Sequence, residues 1–191
     1  LYQKFYSNSN HDLFLYNVAD KKFLNFTEHK GSMKNTHGIF NKKGDTVYFL
    51  SDYEREFTAL AFYKVKTGEL GWEQLEKWDI TNYILSHDEK HLLYSINESG
   101  TSKLKMKNLK TGKVRSLKIP KGNCIAFQFT KDDKNIVLIY DSPQNPNDIF
   151  VYDLKKESFK QLTFSMIGGT PKSAFTVPQS IKYNSFDGLE I

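Results

Sequence analysis

Short apolar runs alternate with polar turn clusters along most of the chain. In Lys43-Gly44-Asp45-Thr46-Val47-Tyr48-Phe49-Leu50, Asp88-Glu89-Lys90-His91-Leu92-Leu93-Tyr94-Ser95 and Asp132-Asp133-Lys134-Asn135-Ile136-Val137-Leu138-Ile139, a polar turn leads into an apolar strand each time. Their anchors Val47, Leu92 and Ile136 lie 45 and 44 residues apart. A second landmark repeats independently. The runs Leu13-Phe14-Leu15-Tyr16-Asn17-Val18, Leu60-Ala61-Phe62-Tyr63-Lys64-Val65, Leu104-Lys105-Met106-Lys107-Asn108-Leu109 and Ile149-Phe150-Val151-Tyr152-Asp153-Leu154 end 47, 44 and 45 residues apart. Two landmarks with one period mark an internal repeat, whose units bury their faces by stacking on one another.

Each unit holds four short strands joined by turn residues. In the second full unit the pattern predicts strands near Ile80 to Ser86, His91 to Ile96, Lys103 to Leu109 and Val114 to Ile119. The first strand of the neighbouring units falls near Thr36 to Asn41 and Asn123 to Thr130, and the last near Trp72 to Lys77 and Ser158 to Thr163. Residues 1 to 27 supply only the later strands of a unit, with Lys4-Phe5-Tyr6-Ser7 in the place of Leu93-Tyr94-Ser95-Ile96. Four antiparallel strands at this period are the signature of a β-propeller blade, so the expected fold is all-β, a partial propeller of about three and a half blades. A blade flanked on both faces needs inner strands apolar on both sides rather than alternating, and Val47 to Leu50 and Ile136 to Tyr140 are so. The one helical competitor is Glu69 to Ser86, where Leu70, Trp72, Leu75 and Trp78 are loosely spaced; the repeat puts a turn and two strands there.

Composition narrows the function classes. With 39% hydrophobic and 26% charged residues among 191, the chain has enough apolar material for a core. Its longest apolar runs fall far short of the ~20 residues that span a bilayer as a helix, so no membrane partner is expected. Cys124 is the only cysteine, which removes internal disulfides and cysteine-based zinc sites and leaves a cytoplasmic location compatible. The net charge of +5 invites a nucleic-acid reading, but only Arg55 and Arg115 among 27 basic residues are arginine, and the lysines are scattered at turns such as Lys21-Lys22, Lys42-Lys43 and Lys155-Lys156. Planar guanidinium is the usual grip on phosphate and guanine, so no nucleic-acid partner is expected.

Beyond residue 164 the period stops. Residues 1–164 read as propeller blades entered mid-blade, 165–180 as a Gly/Pro/Ser-rich linker, and 181–191 as the start of a second domain, with Asp187-Gly188 as a strong hairpin signal. A ring needs at least four blades, so the expectation is a fragment whose uncapped blade faces favour self-association.

The strand-turn-strand units, the turns Lys66-Thr67-Gly68 and Lys110-Thr111-Gly112, and the run Ile181-Lys182-Tyr183-Asn184-Ser185-Phe186-Asp187-Gly188-Leu189-Glu190-Ile191 resemble the propeller-to-hydrolase junction of the prolyl oligopeptidase family of serine peptidases, including acylaminoacyl-peptidase-like members. The repeat itself is shared with TolB-like propellers. The resemblance implies that 181–191 begins an α/β-hydrolase domain with its first hairpin, that a Ser-Asp-His triad lies in the part absent here, and that the propeller gates peptide substrate. The sequence holds no Gly-x-Ser-x-Gly, so no catalytic residue is assigned, and the 191 residues alone are expected to be inactive. The alternative is a TolB-like protein-interaction module without enzymatic activity.

No cofactor and no metal ligand set is expected. His87 and His91 stand four apart, but the repeat aligns them with hairpin turns, and Asp88-Glu89 and Asp132-Asp133 fall at turn positions that acidic residues tolerate. His11, His29 and His37 are isolated and read as solvated or hydrogen-bonded. Cys124 reads as a buried, unreactive thiol. Polar groups on the innermost strands, Thr36, His37, Thr81, Asn82 and Gln128, are the candidates to line a central channel by hydrogen bonding.

Overall fold

The computed structural model describes residues 1–179 and 181–190. Ser180, the last residue of the expected linker, and Ile191, the last of the expected second-domain start, lie outside the described residues. Four antiparallel sheets follow one another along the chain. The first holds β1 (Tyr2–Ser7), β2 (Asn10–Asn17) and β3 (Lys22–Asn25); the second β4 (Asn35–Phe40), β5 (Thr46–Ser51), β6 (Ala59–Lys64) and β7 (Leu70–Gln74). The third holds β8 (Ile80–Leu85), β9 (His91–Glu98), β10 (Thr101–Asn108) and β11 (Val114–Ser116), and the fourth β12 (Asn123–Phe129), β13 (Asn135–Ser142), β14 (Asn145–Asp153) and β15 (Ser158–Gln161). Every strand pairs with its neighbour in sequence, so each sheet is a meander. The expected partial propeller is present as three complete sheets and one that lacks its first strand.

Glu69 to Ser86 holds β7 and β8, the two strands the repeat places there, because Trp72 pairs across to Ala61 and packs among the side chains between the first two sheets. One detail differs from the sequence reading. In the first sheet Gln3 pairs with Leu13 as Ser95 pairs with Leu104, so Lys4 corresponds to Ile96 rather than Leu93; a three-residue slip is invisible where few apolar residues mark the strand.

The turns repeat in conformation as well as position. After the first strand of each complete sheet, Asn41, Ser86 and Thr130 donate their N–H to the carbonyls of Thr46, His91 and Asn135, each at 2.9 Å. Within those turns Gly44, Glu89 and Asp133 take the left-handed region, at φ 67°, 54° and 54°. Between the third and fourth strands, Gly68 and Gly112 sit at φ 71° and 70°, where glycine is free of Cβ strain, and Lys21 and Glu157 occupy the same place in the first and last sheets.

Three apolar clusters lie between successive sheets. Leu13 and Phe26 meet Val47, Phe49 and Tyr63; Leu50 and Leu60 meet Leu92 and Tyr94; Leu93, Leu104 and Met106 meet Phe127, Leu138 and Tyr152. The third sheet therefore contributes to two clusters, with Leu92 and Tyr94 on one face and Leu93 on the other. Each fully covered Leu or Tyr is worth roughly 1.5–3 kcal/mol of burial, which makes stacking the main source of stability. Two ion pairs are built into the middle interface: Glu76 accepts the Tyr94 hydroxyl at 2.7 Å and Lys105 Nζ at 2.8 Å, and Glu73 accepts Lys107 Nζ at 2.7 Å.

Past β15 a 3-10 turn spans Lys172–Ala174, and Gln144 Nε2 donates to the Phe175 carbonyl at 3.1 Å. The Asp-Gly signal forms a hairpin: Asn184 bridges Glu190, and Ser185 donates its N–H to Leu189 at 2.8 Å across Gly188 at φ 83°.

Candidate functional site on the inner strands

The first strand of each complete sheet, β4, β8 and β12, is the edge the sequence reading places innermost. Each carries one extra residue relative to its partner. In β8 and β12 the bulges fall at Thr81 and Ile125, at the same ladder position; in β4 the extra residue is one step later, at His37-Gly38, with His37 at φ 55°. A bulge bends and twists its strand, re-aims side chains and blunts an edge against further pairing.

The five candidate residues divide between the two ends of these strands. Thr36, His37, Thr81 and Asn82 cluster around the bulges. There the Thr36 hydroxyl lies 3.0 Å from His37 Nδ1, the Thr81 hydroxyl lies 2.8 Å from that of Ser95, and Asn82 Oδ1 accepts the Tyr83 N–H at 2.8 Å. Their polar groups are thus largely engaged locally. Tyr83 ties the arrangement across sheets, its hydroxyl meeting the Tyr48 carbonyl at 2.7 Å and the His37 carbonyl at 2.5 Å; burial holds its phenol protonated well above the usual range.

Gln128 lies at the opposite end. Its ladder position, opposite Val137, is that of Ile39 opposite Tyr48 and Ile84 opposite Leu93. These three residues wall one hollow of about 460 Å³, bounded also by Phe40, Leu85 and Phe129. Three edges from three sheets therefore converge on one space, whose strand-borne wall is apolar apart from Gln128.

The rim of this hollow is a chain of contacts between turns that the sequence reading missed. Glu89 accepts the Lys42 N–H, and Lys42 Nζ donates to the His87 carbonyl. One sheet further on, Asp133 accepts the N–H groups of His87 and Asp88, both at 2.9 Å, and lies 2.8 Å from His87 Nδ1. Desolvation works against ionisation of Asp133, yet these donors outweigh it and its carboxyl titrates below the usual range. The carboxylate on the left-handed residue of one turn thus holds the backbone of the turn before it. The sequence signal was present, an acidic residue at φ-positive positions Glu89 and Asp133, but local turn chemistry explained it equally well. Asp88 and Asp132 do serve their own turns, accepting from the Ser86 and Thr130 hydroxyls at 2.7 and 2.8 Å.

The histidines and the cysteine divide in the same way. His29 is bonded, to Asn10 Oδ1 and the Thr27 carbonyl at 3.0 Å each, and lies 3.0 Å from Asp12. His11 corrects the expectation: it is buried, neither ring nitrogen has a partner among the described residues, and the Phe5 ring, in edge-on contact at 4.5 Å, packs against it. Cys124 is buried, and desolvation pushes its thiol up to about 12, so it stays protonated and unreactive at neutral pH. Among the described residues no group of three or more His, Cys, Asp or Glu converges as a metal would require.

A second hollow, of about 240 Å³, lies between the first two sheets against Phe26, Met33, Phe49 and Trp72. The connection leading into it spans nine residues, against five and six at the next two junctions, which is the signal that marks it in the sequence.

No family model and no curated protein matches the sequence. Solved structures do. The chain is similar to TolB from Acinetobacter baumannii at 17% identity and a TM-score of 0.66, over 94% of this chain and 42% of that one. It is similar to a prolyl endopeptidase at 16% identity and a TM-score of 0.75, over 95% of this chain and 27% of that one. The chain thus spans less than half the length of either protein. At these identities the likeness bears on fold alone, and the fold it shows is a β-propeller module.

Proposed function

We propose that this chain is the propeller part of a serine peptidase similar to prolyl oligopeptidase, and that its inner strands limit which peptides reach a separate hydrolase domain. The observation that carries this reading is the hollow where Ile39, Ile84 and Gln128 converge from three sheets. A mostly apolar wall with few polar groups screens by size and weak hydrogen bonding rather than by chemistry. The fold likeness to a prolyl endopeptidase supports it, as does the hairpin closed by Asn184 and Glu190 after the last sheet. On this reading residues 165–180 link the blades to a hydrolase domain that opens at 181, and peptide is the substrate class.

A second reading, a protein-docking module, is favoured by the larger share of a TolB chain that these residues cover. The reading frame past Ile191 separates the two. A continuing frame with Gly-x-Ser-x-Gly supports the peptidase, and a stop codon there supports the module. In the product of a continuing frame, Gln128→Trp narrows the hollow and is expected to shift cleavage toward shorter peptides while sparing a dipeptide-sized reporter. An unchanged size preference would overturn the gating role, and peptide hydrolysis by the 191 residues alone would contradict both readings.

A further inference from the structure

The hollow of about 240 Å³ between the first two sheets stands where the next interface holds an ammonium group. Cross-strand pairing makes the positions equivalent: Ala61 opposes Phe49 as Lys105 opposes Tyr94 and Phe150 opposes Leu138. Between the second and third sheets Lys105 fills this position and gives its Nζ to Glu76, which also accepts the Tyr94 hydroxyl. Between the third and fourth the Phe150 ring fills it. Ala61 is too short to do either, and the hollow results.

The acidic partner is repeated as well. Glu28 stands two residues after Phe26, whose N–H bonds to the Leu13 carbonyl, as Glu76 stands two after Gln74, which pairs with Leu60. Leu13 and Leu60 open the same repeated run. Glu28 is the one charged residue among the described residues that line the hollow. The nearby Arg55 lies 5.7 Å over the Trp72 ring, but its guanidinium is held by the Phe57 and Glu76 carbonyls at 3.3 and 3.1 Å. Phe26 and Phe49 meet edge-on at 5.7 Å in the wall, and aromatic faces attract a cation. The strand that the first sheet lacks would pair with β1, at the edge away from β3 and Phe26, so the hollow is walled by parts of the molecule that are present.

We propose that this hollow binds a small organic amine, a primary ammonium on a short apolar stem. Its head pairs with Glu28 and its stem lies against Phe26, Phe49 and Trp72, so the ligand supplies what Lys105 supplies one sheet further on.

The probe is n-butylamine, the stem and head of a lysine side chain, charged at pH 7 as lysine is. Trp72 and Trp78 are the only tryptophans, and Trp78→Phe leaves Trp72 as the reporter. The expected result is a saturable change in Trp72 emission and a melting temperature above that in equal sodium chloride. Butan-1-ol, which lacks the charge, should bind about tenfold more weakly. Glu28→Gln should weaken butylamine binding about twofold to fivefold at low salt, and less in high salt. Ala61→Leu fills the hollow and should abolish binding, with the melting temperature showing that the sheets still fold. Neither a saturable emission change nor a raised melting temperature would overturn the proposal. So would equal affinity for butan-1-ol, or binding indifferent to Glu28→Gln or to Ala61→Leu.

Discussion

The third and fourth sheets are written in nearly the same pattern but sit in different surroundings. In β9, Leu92 to Ile96 are all buried, because the second sheet covers one face and the fourth the other. In β13, Ile136, Leu138 and Tyr140 are buried while Val137 and Ile139 are not, because one face alone is covered. The sequence of β13 is as apolar on its bare face as on its covered one. Alternation of burial without alternation of sequence marks a surface whose free energy falls when something covers it, which a pattern reading at the level of one strand cannot distinguish from a finished core.

The largest effect that tests this comparison is at matched ladder positions. Leu104→Ala, in the covered face of the third sheet, is expected to cost ~2–5 kcal/mol in urea unfolding. Ile149→Ala, at the same position on the bare face of the fourth, should cost about 1 kcal/mol or less at concentrations where the chain is monomeric. Equal costs would mean that the fourth sheet is covered in solution.

A smaller effect is expected where the two sheets meet at their turns. Asp133→Ala removes the acceptor of three contacts and should cost about 1 kcal/mol at neutral pH. Because the folded Asp133 carboxyl titrates below its unfolded range, its contribution is complete above roughly pH 4–5 and is lost as pH falls through the folded value. Stability curves of the parent and variant should therefore converge in acid. Curves that stay parallel below pH 3 would contradict the turn-to-turn contact.

His11 gives the opposite sign. Replacing a buried imidazole that has no partner by an apolar side chain of similar size removes an unsatisfied donor, so His11→Leu should be neutral or stabilising by up to about 1 kcal/mol. A clear loss of stability would show that the ring has a partner. The least perturbing probe is thiol labelling of Cys124, buried in the cluster between the third and fourth sheets. Native protein should react far more slowly than unfolded protein at pH 8, and any fast native phase reports the fourth sheet separating from the third.

Much of this architecture is legible in the sequence. The order of strands, the turns and the number of units follow from two landmarks at one period, and Val47, Leu92 and Ile136 are buried as the pattern requires. The candidate site is less legible for a specific reason. Single-residue bulges at Thr81 and Ile125 re-aim side chains without changing the apolar pattern, and Gln128, eight residues before Ile136 where Thr36 and Thr81 stand eleven before Val47 and Leu92, lies farther along its strand. The contacts from Glu89 and Asp133 escape notice because their partners are backbone groups of another unit, which carry no residue signature.

Those turn contacts have a direction. Each carboxylate reaches back one sheet, so the rim is linked like overlapping roof tiles, every member pinned by its successor. Lengthening the turn at Ser86–Glu89 would release two junctions at once, the one it makes through Glu89 and the one it receives from Asp133. The same insertion at Lys110–Gly112, on the opposite edge, would disturb a single sheet. Tolerance to insertion is therefore expected to differ between the two edges of the stack, and library variants with extra residues should accumulate on the outer one.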